Sequence, residues 1–147
     1  VFAFGDIGST SGSLYPRVML DRAGFGNFTD PQRYIYTGGH DATVLAVQNG
    51  RVDAGGVERR IMRRMFEAGR ADEQQIRIIE EHLVEGYPWV SPAILDAGIR
   101  EQITQAFLDI DDPELLRLMR AERYERVTAA DYDEVRSEAR RLGLLNA

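Results

Sequence analysis

Apolar residues along the first ninety positions follow two alternating spacings. Val1 to Phe4 is an unbroken apolar run that reads as a buried strand, after which Leu14, Tyr15, Val18 and Met19 recur at helical spacing until Gly24 offers a stop. Pro16 falls about a turn into that helix, which is expected to begin near Gly12; its missing N–H and its ring predict a distorted first turn with spare backbone polarity. The plan then repeats. Tyr34 to Tyr36 is a second short strand, Thr37 to Asp41 a turn, and Ala42, Leu45 and Ala46 lie on a helix closed by Asn49-Gly50. Val52 to Ala54 reads as a third strand running into Gly55-Gly56, and Ile61, Met62, Met65 and Phe66 mark a third helical stripe that ends at Gly69. Ile76 to Ile79 and Tyr87 to Val90 are further strand candidates, the second pushed towards a sheet edge by Pro88.

From Pro92 onward the pattern is helical. Ile99, Ile103 and Phe107 share one helix, Leu115, Leu116 and Met119 another, and Tyr132, Val135, Ala139 and Leu142 the last, with Thr128 and Asp131 as a capping signal and Gly143 as the end. The alternation of strand and helix predicts an α/β fold with a mostly parallel sheet, organised as an α/β lobe over residues 1–90 and a helical segment over residues 91–147. No internal repeat or low-complexity tract interrupts it.

Composition narrows the function. At 147 residues and 44% hydrophobic content the chain is of single-domain size and long enough to bury a core. The formal net charge is −6, and every one of the 18 basic residues is Arg, so a phosphate loop of the Walker type, which depends on its Lys, is excluded. The acidic balance argues against general affinity for nucleic acid, and Arg59, Arg60, Arg63 and Arg64 read as a solvated helix face. Without cysteine there is no disulfide framework, and the redox compartment stays open. No apolar run reaches the length of a membrane span, and the start at Val1 within a strand predicts a processed or excised piece.

The chemistry-bearing residues cluster at two strand-to-helix turns. Gly8-Ser9-Thr10-Ser11-Gly12 has two readings: an ordinary N-cap, or an oxyanion cradle in which hydroxyls join the unpaired N–H groups and positive dipole end of a helix. His40, beside Asp41 at the second turn, reads as a hydrogen-bond donor to an anion, a base, or a residue holding the turn. In a parallel sheet such turns fall at the carboxyl ends of strands, so if the two strands are neighbours the helix starts converge on one pocket. A nucleophile elbow fits poorly, with Thr10 at its centre and no acid-then-His order that forms a triad, His82 being flanked by Glu80 and Glu81. Two histidines without a second ligand at metal spacing give no metal site, and Gly5, Gly8 and Gly12 miss the dinucleotide fingerprint. No cofactor is expected, and anion binding leads.

Phe4-Gly-Asp-Ile-Gly-Ser-Thr-Ser-Gly-Ser-Leu-Tyr-Pro16, Gly39-His-Asp-Ala-Thr-Val-Leu-Ala-Val-Gln-Asn-Gly-Arg-Val-Asp-Ala54, Tyr87-Pro-Trp-Val90 and Ala130-Asp-Tyr-Asp133 occur in that order. Together they resemble the periplasmic substrate-binding proteins of phosphate, phosphite and phosphonate ABC transporters. The resemblance spans nearly the whole chain but only the second part of the family's. It implies one lobe of a type II periplasmic-binding fold, with the helical end returning towards an absent first lobe. It further implies a binding protein, not an enzyme, in the periplasm and associated with the membrane through a transporter permease. Its ligand would be a phosphorus oxyanion, held by Ser9, Thr10 and Ser11 and by the backbone N–H groups of Ser11 and Gly12. His40 matches the ligand-facing histidine, and Asp41 either accepts a proton from the oxyanion or caps the helix. The chain departs from relatives at Glu58-Arg59-Arg60 and at Glu81 to Gly86, both at the cleft border; Glu58 either binds a cationic amino group of an organophosphonate or solvates the rim. With one lobe missing, a homodimer is one expected arrangement. A sensory or interaction domain that keeps the fold is the other functional class.

Overall fold

The computed structural model describes residues 1–26 and 28–145. Three short strands form one parallel sheet: β1 (Phe2–Phe4) lies in the centre, with β2 (Tyr34–Tyr36) on one side and β3 (Ala54–Gly55) on the other. Ala3 and Phe4 are fully buried, as expected of the middle strand of a sheet covered by helices. The third ladder lies slightly later than the apolar run Val52 to Ala54. Asp53 N–H donates to the Val1 carbonyl at 2.9 Å and Gly56 N–H to the Ala3 carbonyl at 3.0 Å, while Val52 packs against Ala3 and Ala46.

Among the described residues six α-helices follow the chain: α1 (Tyr15–Arg22), α2 (His40–Gln48), α3 (Arg59–Glu67), α4 (Ala97–Leu108), α5 (Pro113–Met119) and α6 (Asp133–Arg141). The distortion expected at Pro16 takes the form of a wide π-type turn over Thr10–Leu14, immediately ahead of α1. Tyr15 N–H closes it on the Thr10 carbonyl, and Pro16 then sits in the first turn of α1, where its lack of an N–H costs no intrahelical bond. The chain thus runs from β1 through α1 to β2 and through α2 to β3 on the far side of β1. The direction of winding reverses at β1, the position in a parallel sheet at which ligand sites beyond the carboxyl ends of strands are expected.

Arg17 ties these ends together from within. It is 5% exposed, with its guanidinium 4.1 Å from the Phe4 ring centroid and 4.9 Å from that of Tyr34, and it donates to the Phe28 carbonyl and the Tyr36 hydroxyl. Aromatic faces and oxygen acceptors replace the water this cation gives up.

Residues 1–84 and the stretch from Glu134 form one compact unit, and residues 85–133 another. The helical pattern had placed everything after residue 90 in one segment, whose last two residues lie outside the described residues. In the structure Val135 and Ala139 of α6 and Leu142 just beyond it pack on Leu14 and Val18, so this helix joins the first unit. Arg22 and Arg141 reinforce the contact by flanking Glu138.

The strand expectations at Ile76 to Ile79 and Tyr87 to Val90 are corrected: residues 76–90 have no regular structure. An extended apolar run becomes a strand only with a ladder partner and a face to bury, and here Ile79 is 75% exposed, Tyr87 81% and Val90 86%. Within the second unit, Asp96 and Asp112 cap α4 and α5. Phe107 packs tilted against Trp89 and edge-to-face against Tyr124, Tyr132 donates to the Gly86 carbonyl, and Thr128 donates to the Asp131 carboxylate from both its N–H and its hydroxyl. Those two bonds hold Asp131 below the usual carboxylate range.

Candidate functional site

The ladder between β1 and β2 continues past both strands, through Thr37 N–H to the Phe4 carbonyl and Gly38 N–H to the Gly5 carbonyl, and so carries the two turns forward side by side. The loop that follows β1 folds back on itself where Gly5 N–H meets the Gly12 carbonyl at 2.8 Å. Ser9 then caps the wide turn. Its hydroxyl accepts from Gly12 N–H at 2.9 Å, and its carbonyl accepts from the N–H groups of Ser13 and Leu14. The capping reading of Ser9 therefore describes its contact here, and the Gly12 N–H, which the resemblance assigns to a ligand, is engaged by the Ser9 hydroxyl in this structure. The N–H groups of Thr10 and Ser11 have no acceptor among the described residues, as the geometry of a helix start requires. The Thr10 hydroxyl is likewise unengaged.

His40 is the first residue of α2, and its ring bridges the starts of the other two helices. Nδ1 accepts from the Glu58 N–H at 3.1 Å, and Nε2 lies 3.5 Å from the Ser11 hydroxyl. An imidazole that accepts at Nδ1 is neutral and carries its proton on Nε2, so the ring turns an N–H donor towards the cradle. Gly12 makes room for it: a Cβ there would fall 3.1 Å from His40 Cε1 and 3.0 Å from the Ser9 hydroxyl. Thr43 and Thr37 brace the turn through a 2.6 Å hydroxyl contact and bonds to the Gly39 carbonyl.

Charge at this end is largely settled within the protein. Asp41, in the first turn of α2, accepts from Arg70 at 3.4 Å, and Arg59, which opens α3, donates to Glu81 at 2.8 Å. The carboxylate of Glu58 has no hydrogen bond or ion pair among the described residues. A ligand here meets neutral donors from the first turn and from His40, whose ring also receives the Glu58 N–H. Sequence reasoning had brought Ser9, Thr10, Ser11, Gly12, His40, Asp41 and Glu58 to these turns. It missed Arg70, and although it named Tyr15, Glu81 and His82 it did not read the Arg59–Glu81 and Tyr15–His82 contacts, whose partners lie far apart in sequence and leave no spacing to read.

The family model for the periplasmic substrate-binding protein of phosphonate ABC transporters matches residues 1–132. The chain belongs to this family. A relative of the phosphonate-binding family, a probable ABC transporter phosphite binding protein named PhnD1 from Prochlorococcus marinus strain MIT 9301, is 25% identical over 153 aligned residues, covering 96% of this chain and 51% of the relative. The solved structure of PhnD1 from that organism in complex with methylphosphonate aligns with a TM-score of 0.73 at 20% identity, over 98% of this chain and 57% of that one. This phosphonate-binding family member therefore has the α/β fold of a periplasmic binding protein, and it spans about half the length of the relatives it matches. No helix among the described residues is long and apolar enough to cross a membrane.

Proposed function

We propose that the chain captures a phosphorus oxyanion at the turn after β1 and serves as the solute-binding component of an ABC transporter outside the cytoplasm. The observation that carries this reading is the convergence of the unpaired Thr10 and Ser11 N–H groups, their hydroxyls and His40 Nε2 at the starts of neighbouring helices. Such donors replace the hydration of a tetrahedral anion without a fixed cation. Ser9 contributes by fixing the turn, and Asp41 by holding Arg70. Family membership supports the same ligand class.

Binding, not turnover, fits the histidine. In a catalytic triad the base's Nδ1–H is held by an acceptor and Nε2 is free to take a proton, whereas Nδ1 of His40 receives a backbone N–H and Nε2 already carries the proton. The unpaired Glu58 carboxylate favours a ligand whose tail carries a cation, since a bare oxyanion beside it would be repelled. An aminoalkylphosphonate meets both demands. A second lobe or a second copy of the chain would close over the ligand, and the closed form would be the one presented to a permease.

Calorimetric titration with phosphate, phosphite, methylphosphonate and 2-aminoethylphosphonate, with sulfate as control, tests the reading. Saturable binding of a phosphorus anion is expected, tightest for the amine, with Glu58→Gln removing the amine's advantage. Heat from none of them, or equal binding of sulfate, would overturn it.

A further inference from the structure

A closed circuit of contacts runs around the ligand end of the first unit, and only half of it belongs to the oxyanion site. Ser11 approaches the His40 ring, and the ring accepts from Glu58 N–H. The next residue, Arg59, donates from Nη1 to Glu81 Oε2 at 2.8 Å. His82 follows and stacks on Tyr15, with ring centroids 4.7 Å apart and 25° between planes. Tyr15 N–H in turn closes the wide turn on the Thr10 carbonyl. The circuit leaves the cradle at Ser11, passes through the starts of α2 and α3, and returns by way of residues 81 and 82. Pro16 and Gly56 pack inside it so closely that a Cβ on Gly56 would fall 2.2 Å from Pro16 Cγ.

Beyond Ile76, which packs on the cluster of Val44, Met62 and Met65, apolar burial does little to hold the returning segment in place. Ile79 is 75% exposed and Leu83 95%, and residues 76–90 have no ladder. Residues 81 and 82 attach through the ion pair to the first residue of α3 and the stack on the first residue of α1. We propose that Glu81 and His82 are specificity-determining positioning residues that fix the separation between the cradle and Glu58, so that the site measures the tail length of an aminoalkylphosphonate. The inference rests on Glu58 as partner of the ligand's amine.

The physical case is one of leverage. The phosphorus head is read at the start of α1 and the tail at the start of α3, so the spacing of those two helix starts sets which tail fits. Pro16 against Gly56 fixes that spacing at one level, and the segment over residues 81 and 82 fixes it at a second, preventing a pivot about the first. A half-exposed ion pair is weak alone. Joined to a ring stack on the adjacent residue, it ties both helix starts to one dipeptide. Neither residue has to touch the ligand.

The test compares wild type, Glu81→Gln, His82→Ala and the charge-exchanged Arg59→Glu/Glu81→Arg pair. Each is titrated with aminomethyl-, 2-aminoethyl- and 3-aminopropylphosphonate and with methylphosphonate. Wild type is expected to prefer one tail length. Both single variants should compress that preference by about threefold or more while leaving methylphosphonate within about twofold, and the exchanged pair should restore it. Preferences equal to wild type in both single variants would overturn the proposal. A second readout needs no ligand: the Glu58 amide and His40 Nδ1 resonances in nitrogen-15 spectra should shift in Glu81→Gln and His82→Ala. Should wild type bind methylphosphonate but gain nothing from an amine, the reading of Glu58 fails, and unmoved resonances would then sink the positioning role separately.

Discussion

His40 does two separable things with its two nitrogens, and side-chain amides can imitate each alone. Nδ1 accepts from Glu58 N–H and fixes the start of α3 relative to α2, while Nε2 presents a proton to the cradle. Asn in place of His40 sets an oxygen close to where Nδ1 lies, and Gln sets an N–H close to where Nε2 lies. His40→Asn should therefore keep the fold's stability but lose the donor to the ligand, weakening phosphonate binding by about tenfold, the equivalent of one hydrogen bond to a charged partner. His40→Gln should keep more of the affinity but lower stability by about 1–2 kcal/mol, because the Glu58 N–H is left without its acceptor. Thermal unfolding and calorimetry on the two variants decide. Equal losses in both measurements for both variants would show that the nitrogens do not divide the work in this way.

At the level of elements, the helices were legible and the late strands were not. The stripes from Leu14, Ala42, Ile61 and Ile99 onward correspond to α1 to α4 because helical periodicity is a local property of the chain. Ile76 to Ile79 and Tyr87 to Val90 have strand-like residues, but a strand exists through its neighbour, and neither run finds one. The destination of α6 was equally hidden, since the stripe of Val135, Ala139 and Leu142 states only that the helix packs, not that it packs on Leu14 and Val18. Its docking carries a pH signature. Glu138 accepts from Arg141 and Arg22, and those bonds hold its carboxyl below the usual carboxylate range. A carboxyl whose value is lowered by folding adds stability that is full above its ordinary value near 4.5 and is lost as pH falls through the folded value. Hydrogen-exchange protection in α6, corrected for the intrinsic exchange rate at each pH, should therefore fall below about pH 4.5 in wild type. In Glu138→Gln that protection should be lower at neutral pH, by the equivalent of about 1 kcal/mol, and flatter on acidification. A wild-type acid limb that persists unchanged in the variant would assign the effect elsewhere.

Across the whole chain, the sequence made the two turns visible as anion-binding candidates because glycines, hydroxyls and a histidine at strand ends are local signals. It could not show that the third helix start joins them, since the Glu58 N–H reaches His40 only because β3 pairs with β1 on the side opposite β2. Nor could composition show where the charge resides. Residues 85–133 contain eleven acidic residues against five arginines and so hold the entire net charge of −6, while the unit that carries the candidate site is balanced. Within that unit the arginines that open or follow α3, Arg59 and Arg70, are each engaged by a carboxylate. An oxyanion is then held by short-range donors in a field that is close to neutral. Salt screens charges separated by more than about 10 Å at 0.1 M but leaves direct hydrogen bonds almost untouched. Raising sodium chloride from about 0.05 M to about 0.5 M should therefore weaken methylphosphonate binding by less than about threefold. In Glu81→Gln, where Arg59 loses its carboxylate partner, the same change should have a visibly steeper effect. A loss of tenfold or more in wild type would mean that a net positive field, not the neutral donors of the first turn and His40, supplies most of the attraction.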